Sequence, residues 1–512
     1  MKFINGINRN QIQFFALEEL VDAQSDVRLI DAFVSSLDLA ECGFKMDFGE
    51  NGRPAYHPAE LIKLYLYGYL NRIRSSRALE KECYRNLEVM WLIKGLTPDH
   101  NTISNFRKDH QKGIRRIFRA SVELAKHFEL IGGKLVAGDG TKLRAQNSKK
   151  NNFNQEKINK HIDYIDKKLD EYNALLDSED ENLTENQKKE ICEKIETQKD
   201  RKEKYETLEK QLKETGEKQI STSDPESRML MIRNNIAEVS YNVQSMVDDK
   251  HCLCIDFKVT NENDSHAMGN LLRRAKTIIG NNSFTALFDK GYHTGSELAY
   301  ADNLKINTLV AIPSTASHAP DWNYDIEHFS YNTENDYYTC PQGQILTTNG
   351  KWYNKARTTT TVKVKHYKTK ECLSCSAFEK CTKNKEGRLL ERTEYQENIE
   401  NNAKRIAQNK QTYKRRQAIV EHPFGIIKRQ WDFSYIMTKK SIKRASADVG
   451  LIFCAFNLRR IFNILDPKAL MEYLKARFYF FAHFSTYFKP KCEPIFIFVK
   501  CSITFPPLPK NG

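Results

Sequence analysis

Residues 134–146 read KLVAGDGTKLRAQ. Leu135, Val136 and Ala137 make a short apolar run that stops at Asp139-Gly140, the pattern of a buried strand ending in a carboxylate. The composition then changes abruptly. From residue 151 to 220 the chain turns to Lys, Glu, Asn and Asp, yet Ile158, Ile162, Ile165, Leu169, Tyr172 and Leu176 recur at spacings of four and three. That is a heptad seam. The run DSEDEN interrupts it, and Thr184-Glu185-Asn186-Gln187 has the form of a capping box opening a second helix. An antiparallel helical hairpin inserted into another unit is expected here.

Beyond the hairpin, 221–318 is mixed. NVQSMVDD, CLCIDFKVT, SFTALFDKG and NTLVAIP read as strands, and HAMGNLLRRAKTII and TGSELAYADNL as helices. Two adjacent strands followed by alternating helices and strands predict a mixed sheet with helices on its faces, so the fold class is α/β. Residues 319–395 are irregular and rich in Tyr, Thr, Asn and Cys, and 396–466 carry a long basic helical pattern. The tail, 467–512, is aromatic and has no assignable pattern.

On the N-terminal side, 1–130 reads as helical. His57-Pro58 opens a helix with proline in its tolerated first turn, and SSRALEKECYRN comes next with Ser75 or Ser76 as cap. A short polar-basic helix, HNTISNFRKDH, then turns Asn101, Thr102, Asn105, Arg107 and Lys108 outward. A bundle ending this way fits a helix-turn-helix DNA reader, with Asn105 and Arg107 as candidate contacts. An ordinary three-helix unit with a polar surface fits it as well.

The chain has 512 residues, with 80 Lys and Arg against 66 Asp and Glu, a formal charge of +14. At 40% hydrophobic residues it can bury real cores, and its positive surplus suits a polyanionic partner such as nucleic acid. The opening residues lack the apolar core of a secretory signal, and no stretch is long enough to span a bilayer. The expectation is a cytoplasmic, nucleoid-associated protein without a membrane partner, most of its twelve cysteines being reduced thiols. Cys252 and Cys254 read as core residues of a strand.

Three acids stand out chemically. Phosphodiester cleavage needs an attacking oxygen, a phosphorus and a leaving oxygen held in line while growing negative charge is neutralised. Two Mg²⁺ ions about 4 Å apart do this, and carboxylates at strand ends and on a nearby helix are natural ligands. Asp139 ends the first strand, before a Gly140 small enough to let a phosphate approach. Asp289 ends FTALF. Glu421 lies in the basic stretch KRRQAIVEHPFGIIKRQW. Taken singly, strand-end aspartates also cap turns, and an acid among arginines also serves in salt bridges.

Taken together, Asp139-Gly140-Thr141, Asp289-Lys290-Gly291-Tyr292-His293 and Glu421-His422-Pro423-Phe424-Gly425-Ile426-Ile427-Lys428 resemble three blocks of the DDE insertion-sequence transposases. HPAELIKLYLYGYL, SSRALE and DHNTISNFR look like the helical domain that precedes the catalytic core in that group. The resemblance runs in order over roughly residues 40–465. It implies a ribonuclease H-like core, in agreement with the mixed sheet, and Asp139, Asp289 and Glu421 as ligands of Mg²⁺ or Mn²⁺. It further implies DNA cleavage at transposon ends and strand transfer into target DNA, within a synaptic complex of two or more copies. A Tyr-Arg-Glu-Lys signature is implied around the third acid, here Tyr413, Arg416, Glu421 and Lys428, with the basic members on DNA phosphate. Arg416 precedes Glu421 by five residues, one more than the signature has. On a helix that offset turns it from the acid, toward a backbone or phosphate contact. A nuclease that cuts without joining, or a DNA-binding descendant without catalysis, would share much of this sequence.

Cys372-Leu373-Ser374-Cys375, Cys381 and Cys340-Pro341-Gln342-Gly343 form the remaining cluster. Thiolates so spaced suit a tetrahedral, structural Zn²⁺, the alternative being four free thiols.

Overall fold

The computed structural model describes residues 10, 12, 14, 16–46, 54–178, 184–233, 236–314, 319–357 and 360–487. Six helices lead: α1 (Asp26–Ser35), α2 (Pro58–Leu70), α3 (Ser76–Arg85), α4 (Leu87–Leu92), α5 (His100–Asp109) and α6 (Gln111–His127). Their starts are set locally. Pro58 sits in the first turn of α2 behind the cap residue His57, and the Asp99 carboxylate accepts the Asn101 and Thr102 N–H groups at 2.9 Å each to open α5. Helix α2 is buried along its whole length, its charged residues Glu60 and Lys63 included.

The central strand is β1 (Leu135–Arg144). After it the short strands β2 (Asn152–Asn154) and β3 (Gln219–Ser221) pair antiparallel and clip the base of a hairpin made of α7 (Gln155–Ser178) and α8 (Glu185–Thr215). The expected capping box at Thr184 and Gln187 is present.

The sheet is then completed by β4 (Arg228–Arg233), β5 (Ile236–Asp248), β6 (Cys254–Thr260), β7 (Thr285–Phe288) and β8 (Asn307–Val310), with α9 (Met268–Ile279) and α10 (Gly295–Asn303) between the last three. β5 runs antiparallel to β1 on one side and pairs with β6 and β4 on the other. On its far side β1 is parallel to β7, and β7 is parallel to β8. The order β6-β5-β1-β7-β8, three antiparallel strands leading into two parallel ones, is that of a ribonuclease H-like core. Cys254 lies buried on β6, as its sequence suggests. Cys252 does not; it occupies the preceding turn with φ of 54°.

The Cys-rich segment builds two small sheets, β9 (Ser330–Asn332) with β10 (Tyr337–Thr339) and β11 (Ile345–Leu346), and β12 (Tyr353–Ala356) with β13 (Thr361–Tyr367) and β14 (Leu390–Thr393). The one-turn helix α11 (Phe378–Cys381) lies between β13 and β14. The basic region is broken into α12 (Gln396–Gln408), α13 (Lys410–Gly425) and α14 (Ile442–Ile464). α13 runs on into a π-helical turn at Ile426–Gln430. The patternless tail begins as a helix, α15 (Pro467–Tyr487), that packs on α1; its remainder lies outside the described residues.

α14 packs against α2, α6 and β6. One apolar cluster therefore runs from Val21 through the N-terminal helices and one face of the sheet to Leu474. Against the other face lies a smaller cluster of Leu135, Ala137, Val247, Leu287 and Leu309 with Ile419 and Val420 of α13. Among the described residues no helix is long and apolar enough to cross a membrane.

Candidate active site

Two of the three acids are placed by strand register alone. Ala137 of β1 lies beside Leu287 of the parallel strand β7. Asp139 and Asp289 each come two residues later, level with one another on strands about 4.8 Å apart. Side chains two apart share a face. Both acids therefore continue the face that Leu135, Ala137 and Leu287 present to α13. The Gly140 N–H donates to Asp139 Oδ1 at 2.9 Å, and the Gly291 N–H to Asp289 Oδ1 at 2.8 Å. Burial pushes the Asp139 carboxyl up to about 6; the Asp289 and Asp264 charges add to this, and Arg416 and the Gly140 N–H oppose it.

Helix α13 crosses this face. The Tyr413 hydroxyl donates to the Phe288 carbonyl at 3.1 Å, pinning the helix to the end of β7. Arg416 Nη1 stands 3.6 Å from Asp139 Oδ2. That nitrogen is buried and has no hydrogen-bond partner among the described residues. Arg416 thus meets the carboxylate of Asp139, midway along β1, and not the backbone group that its offset suggested. Glu421 is exposed on the same helix, where its Oε1 accepts from Gln417 Nε2 at 2.8 Å. Lys428 donates to Thr141 Oγ1 at 3.1 Å and the Lys142 carbonyl at 3.4 Å, tying the π-helical turn to β1.

On the opposite face of β1 lies an acid that the sequence did not single out. Asp264 accepts from Asn242 Nδ2 at 2.8 Å and Gln244 Nε2 at 2.5 Å, and pairs with Lys142 Nζ at 3.2 Å. Gln244 in turn accepts from the buried Tyr292 hydroxyl. A methyl group on Gly140 would come within 2.4 Å of Asp264 Oδ1, so the glycine makes room for this network. Asp264 sits in NENDSH, just before α9, where an acid reads as a helix-start residue. Nothing local announces its link to β5.

The remaining expectations divide. Asn105 is exposed on α5. Arg107 is not: it is 3% exposed and donates to the Tyr69 hydroxyl at 2.8 Å, with Asp448 Oδ1 at 3.4 Å. Ile103 and Phe106 set the buried side of α5, and Arg107 continues that side. Cys340, Cys372, Cys375 and Cys381 line one narrow cavity. Among the described residues no three Asp, Glu, His or Cys side chains form, as they stand, a group able to hold a metal ion. Asp139, Asp289, Arg416 and Tyr413 come together; Glu421 shares their helix but does not complete a ligand set.

Two family models match the chain, a transposase domain (DUF772) over residues 15–109 and a transposase DDE domain over residues 339–462. The first covers α1–α5; the second runs from the end of β10 through the rest of the Cys-rich segment, α12 and α13 into α14. A search of curated proteins gave no match. These two matches flank a ribonuclease H-like sheet on which Asp139, midway along β1, stands level with Asp289 just past β7, and together they support the chain as a DDE insertion-sequence transposase.

Proposed function

We propose that the chain cuts DNA at transposon ends to free 3′-hydroxyls and joins these to target DNA, using Asp139, Asp289 and Glu421 to hold Mg²⁺ or Mn²⁺. The observation carrying this reading is the level placement of Asp139 and Asp289 under the helix that bears Arg416 and Glu421. The donor set suits a hard divalent cation: oxygen ligands only, and a crowded negative charge that helps raise Asp139 to about 6. Bound there, the cation would polarise the phosphate and acidify a water. Glu421 must swing from Gln417 to join the aspartates, a movement its exposed side chain allows. Arg416, with a buried N–H group unmatched, is placed to donate to a phosphate oxygen beside Asp139. Asn105 on α5 is a contact for the double-stranded end. Two ends held at once call for two or more copies in the working complex.

Incubating the protein with a pre-cut transposon end, supercoiled target and Mg²⁺ tests this. Joined product is expected from the wild type, and none from Asp139→Asn, Asp289→Asn or Glu421→Gln, each still binding DNA. Nicks without joints would indicate a nuclease; DNA binding with no cleavage would indicate a non-catalytic descendant. Near-normal activity in any of the three variants would remove that residue from the site.

A further inference from the structure

We propose that Cys340, Cys372, Cys375 and Cys381 bind one Zn²⁺ as a structural, four-thiolate site. The four sulfurs come from three separated segments and line a single cavity of about 20 Å³, together with Phe329, Leu346 and Arg388. A space of that size has room for one ion.

The backbone around Cys340 and around Cys372 and Cys375 is arranged as a holder. Cys340 opens a tight turn in which the Gly343 N–H donates to its carbonyl at 2.8 Å and its own N–H donates to the Gln344 carbonyl at 2.9 Å. Gly343 takes φ of 78°, which a side chain would resist. The turn delivers the Gln344 N–H to Cys340 Sγ at 3.3 Å, a contact that favours a thiolate acceptor. Cys372 and Cys375 are joined by a second turn, the Cys375 N–H donating to the Cys372 carbonyl at 3.2 Å. Gly387 passes so close that a methyl group there would lie 2.8 Å from Cys372 Cβ.

Arg388 supplies an independent sign of negative charge. It is 8% exposed, its Nη1 donates to the Cys381 carbonyl at 3.2 Å, and its Nε has no hydrogen-bond partner among the described residues. No carboxylate pairs with it among the described ion pairs. A buried guanidinium beside four neutral thiols is costly. Beside Zn²⁺ with four thiolates, which carry a net charge of −2, it is compensated.

The insertion also needs the support. Its own core is five buried side chains, Phe329, Tyr338, Leu346, Tyr367 and Leu390. Metal binding is folding energy in domains that small. As they stand the four cysteines line the cavity without forming a ligand set among the described residues. Binding requires them to close to roughly 3.8 Å from one another, the spacing set by Zn–S bonds of about 2.3 Å. Each cysteine that ligates gives up its S–H proton, and no coordination position is left for substrate.

The test is metal analysis of full-length protein purified without chelator, by mass spectrometry. About one zinc per chain is expected in the wild type and equally in Asp139→Asn, which separates this site from the acids. The double variant Cys372→Ser/Cys375→Ser is expected to lose it and to become sensitive to protease between residues 319 and 395. Should that variant fail to fold, Co²⁺ exchange of the wild type decides, since four thiolates give intense charge-transfer bands and tetrahedral d–d bands. Zinc-free wild type after zinc-supplemented expression, a Co²⁺ spectrum without thiolate bands, or a disulfide among the four cysteines would each overturn the proposal.

Discussion

Asp139 sits where its charge is least comfortable. Its side chain is 24% exposed, and the folded protein raises its carboxyl from 3.8 to about 6. A raised carboxyl favours the protonated form in the fold. Stability from this group is therefore complete below about pH 4 and falls as pH rises toward 6, by roughly 3 kcal/mol for two units. In EDTA, Asp139→Asn should accordingly match the wild type in urea midpoint at pH 4 and exceed it at pH 7. A gap that is the same at both values would contradict this, and Mg²⁺ should narrow it at pH 7 by rewarding the charged form. Asp139 and Asp289 were legible because an acid closing a short apolar run is a local pattern, although β1 does not end at Asp139 as that pattern suggested but pairs with β5 as far as Arg144. Arg107 and Asp264 were not, because their partners are remote: Arg107 meets Asp448 across 341 positions of sequence, and Asp264 meets Gln244 across 20. The polarity of a side chain said nothing of which way it pointed.

Among the elements, the hairpin was the easiest to read and the acid-bearing helix the hardest. The hairpin shows a heptad seam and a capping box, both of which act within a few residues. Its grip is uneven, however. Ile158 is fully buried beside Phe153 and Leu212 at the base, whereas Leu175 near the tip is 42% exposed. Ile158→Ala should cost about 2–4 kcal/mol and open the hairpin to protease near its base, while Leu175→Ala should leave the cleavage pattern unchanged. Equal sensitivity in the two variants would mean that the seam is not graded this way. The basic region from 396 onward gave a single helical pattern, yet the chain breaks it at Asn409 and between Trp431 and Ser441. Those breaks answer to tertiary anchors, the Tyr413 contact with β7 and the Lys428 contact with β1, which no periodicity records. The Cys-rich sheets were visible only through cysteine spacing, since their strands are too short to alternate clearly.

For the molecule as a whole, the decisive group is Asp448, fully buried on α14. Burial alone would raise its carboxyl, but Arg74 and Arg107 hold it below the usual range, with the Tyr69 hydroxyl and the Met437 N–H also donating to it. This joins α2, the segment before α3, α5 and the chain after α13 at one point. Asp448→Ala strands two buried guanidiniums and should cost about 3–5 kcal/mol, lowering the melting temperature of the helices and the sheet together in one calorimetric transition. Separate transitions, with only the N-terminal helices affected, would show two independent bodies. The mixed sheet and its helices could be anticipated from sequence; that α14 threads the N-terminal helices onto that sheet could not, because a helix buried on several sides does not name its neighbours. The shared core has a geometric result. With α5, Asp139 and Asp289 set in one body, the molecule would under the proposed function work as a caliper, whose jaws are the α5 surface proposed to meet the DNA end and the carboxylates that would meet the scissile bond. The gap between them belongs to the fold, and a DNA end lengthened between those two points would be gripped in the same place but offered to the acids at a different bond.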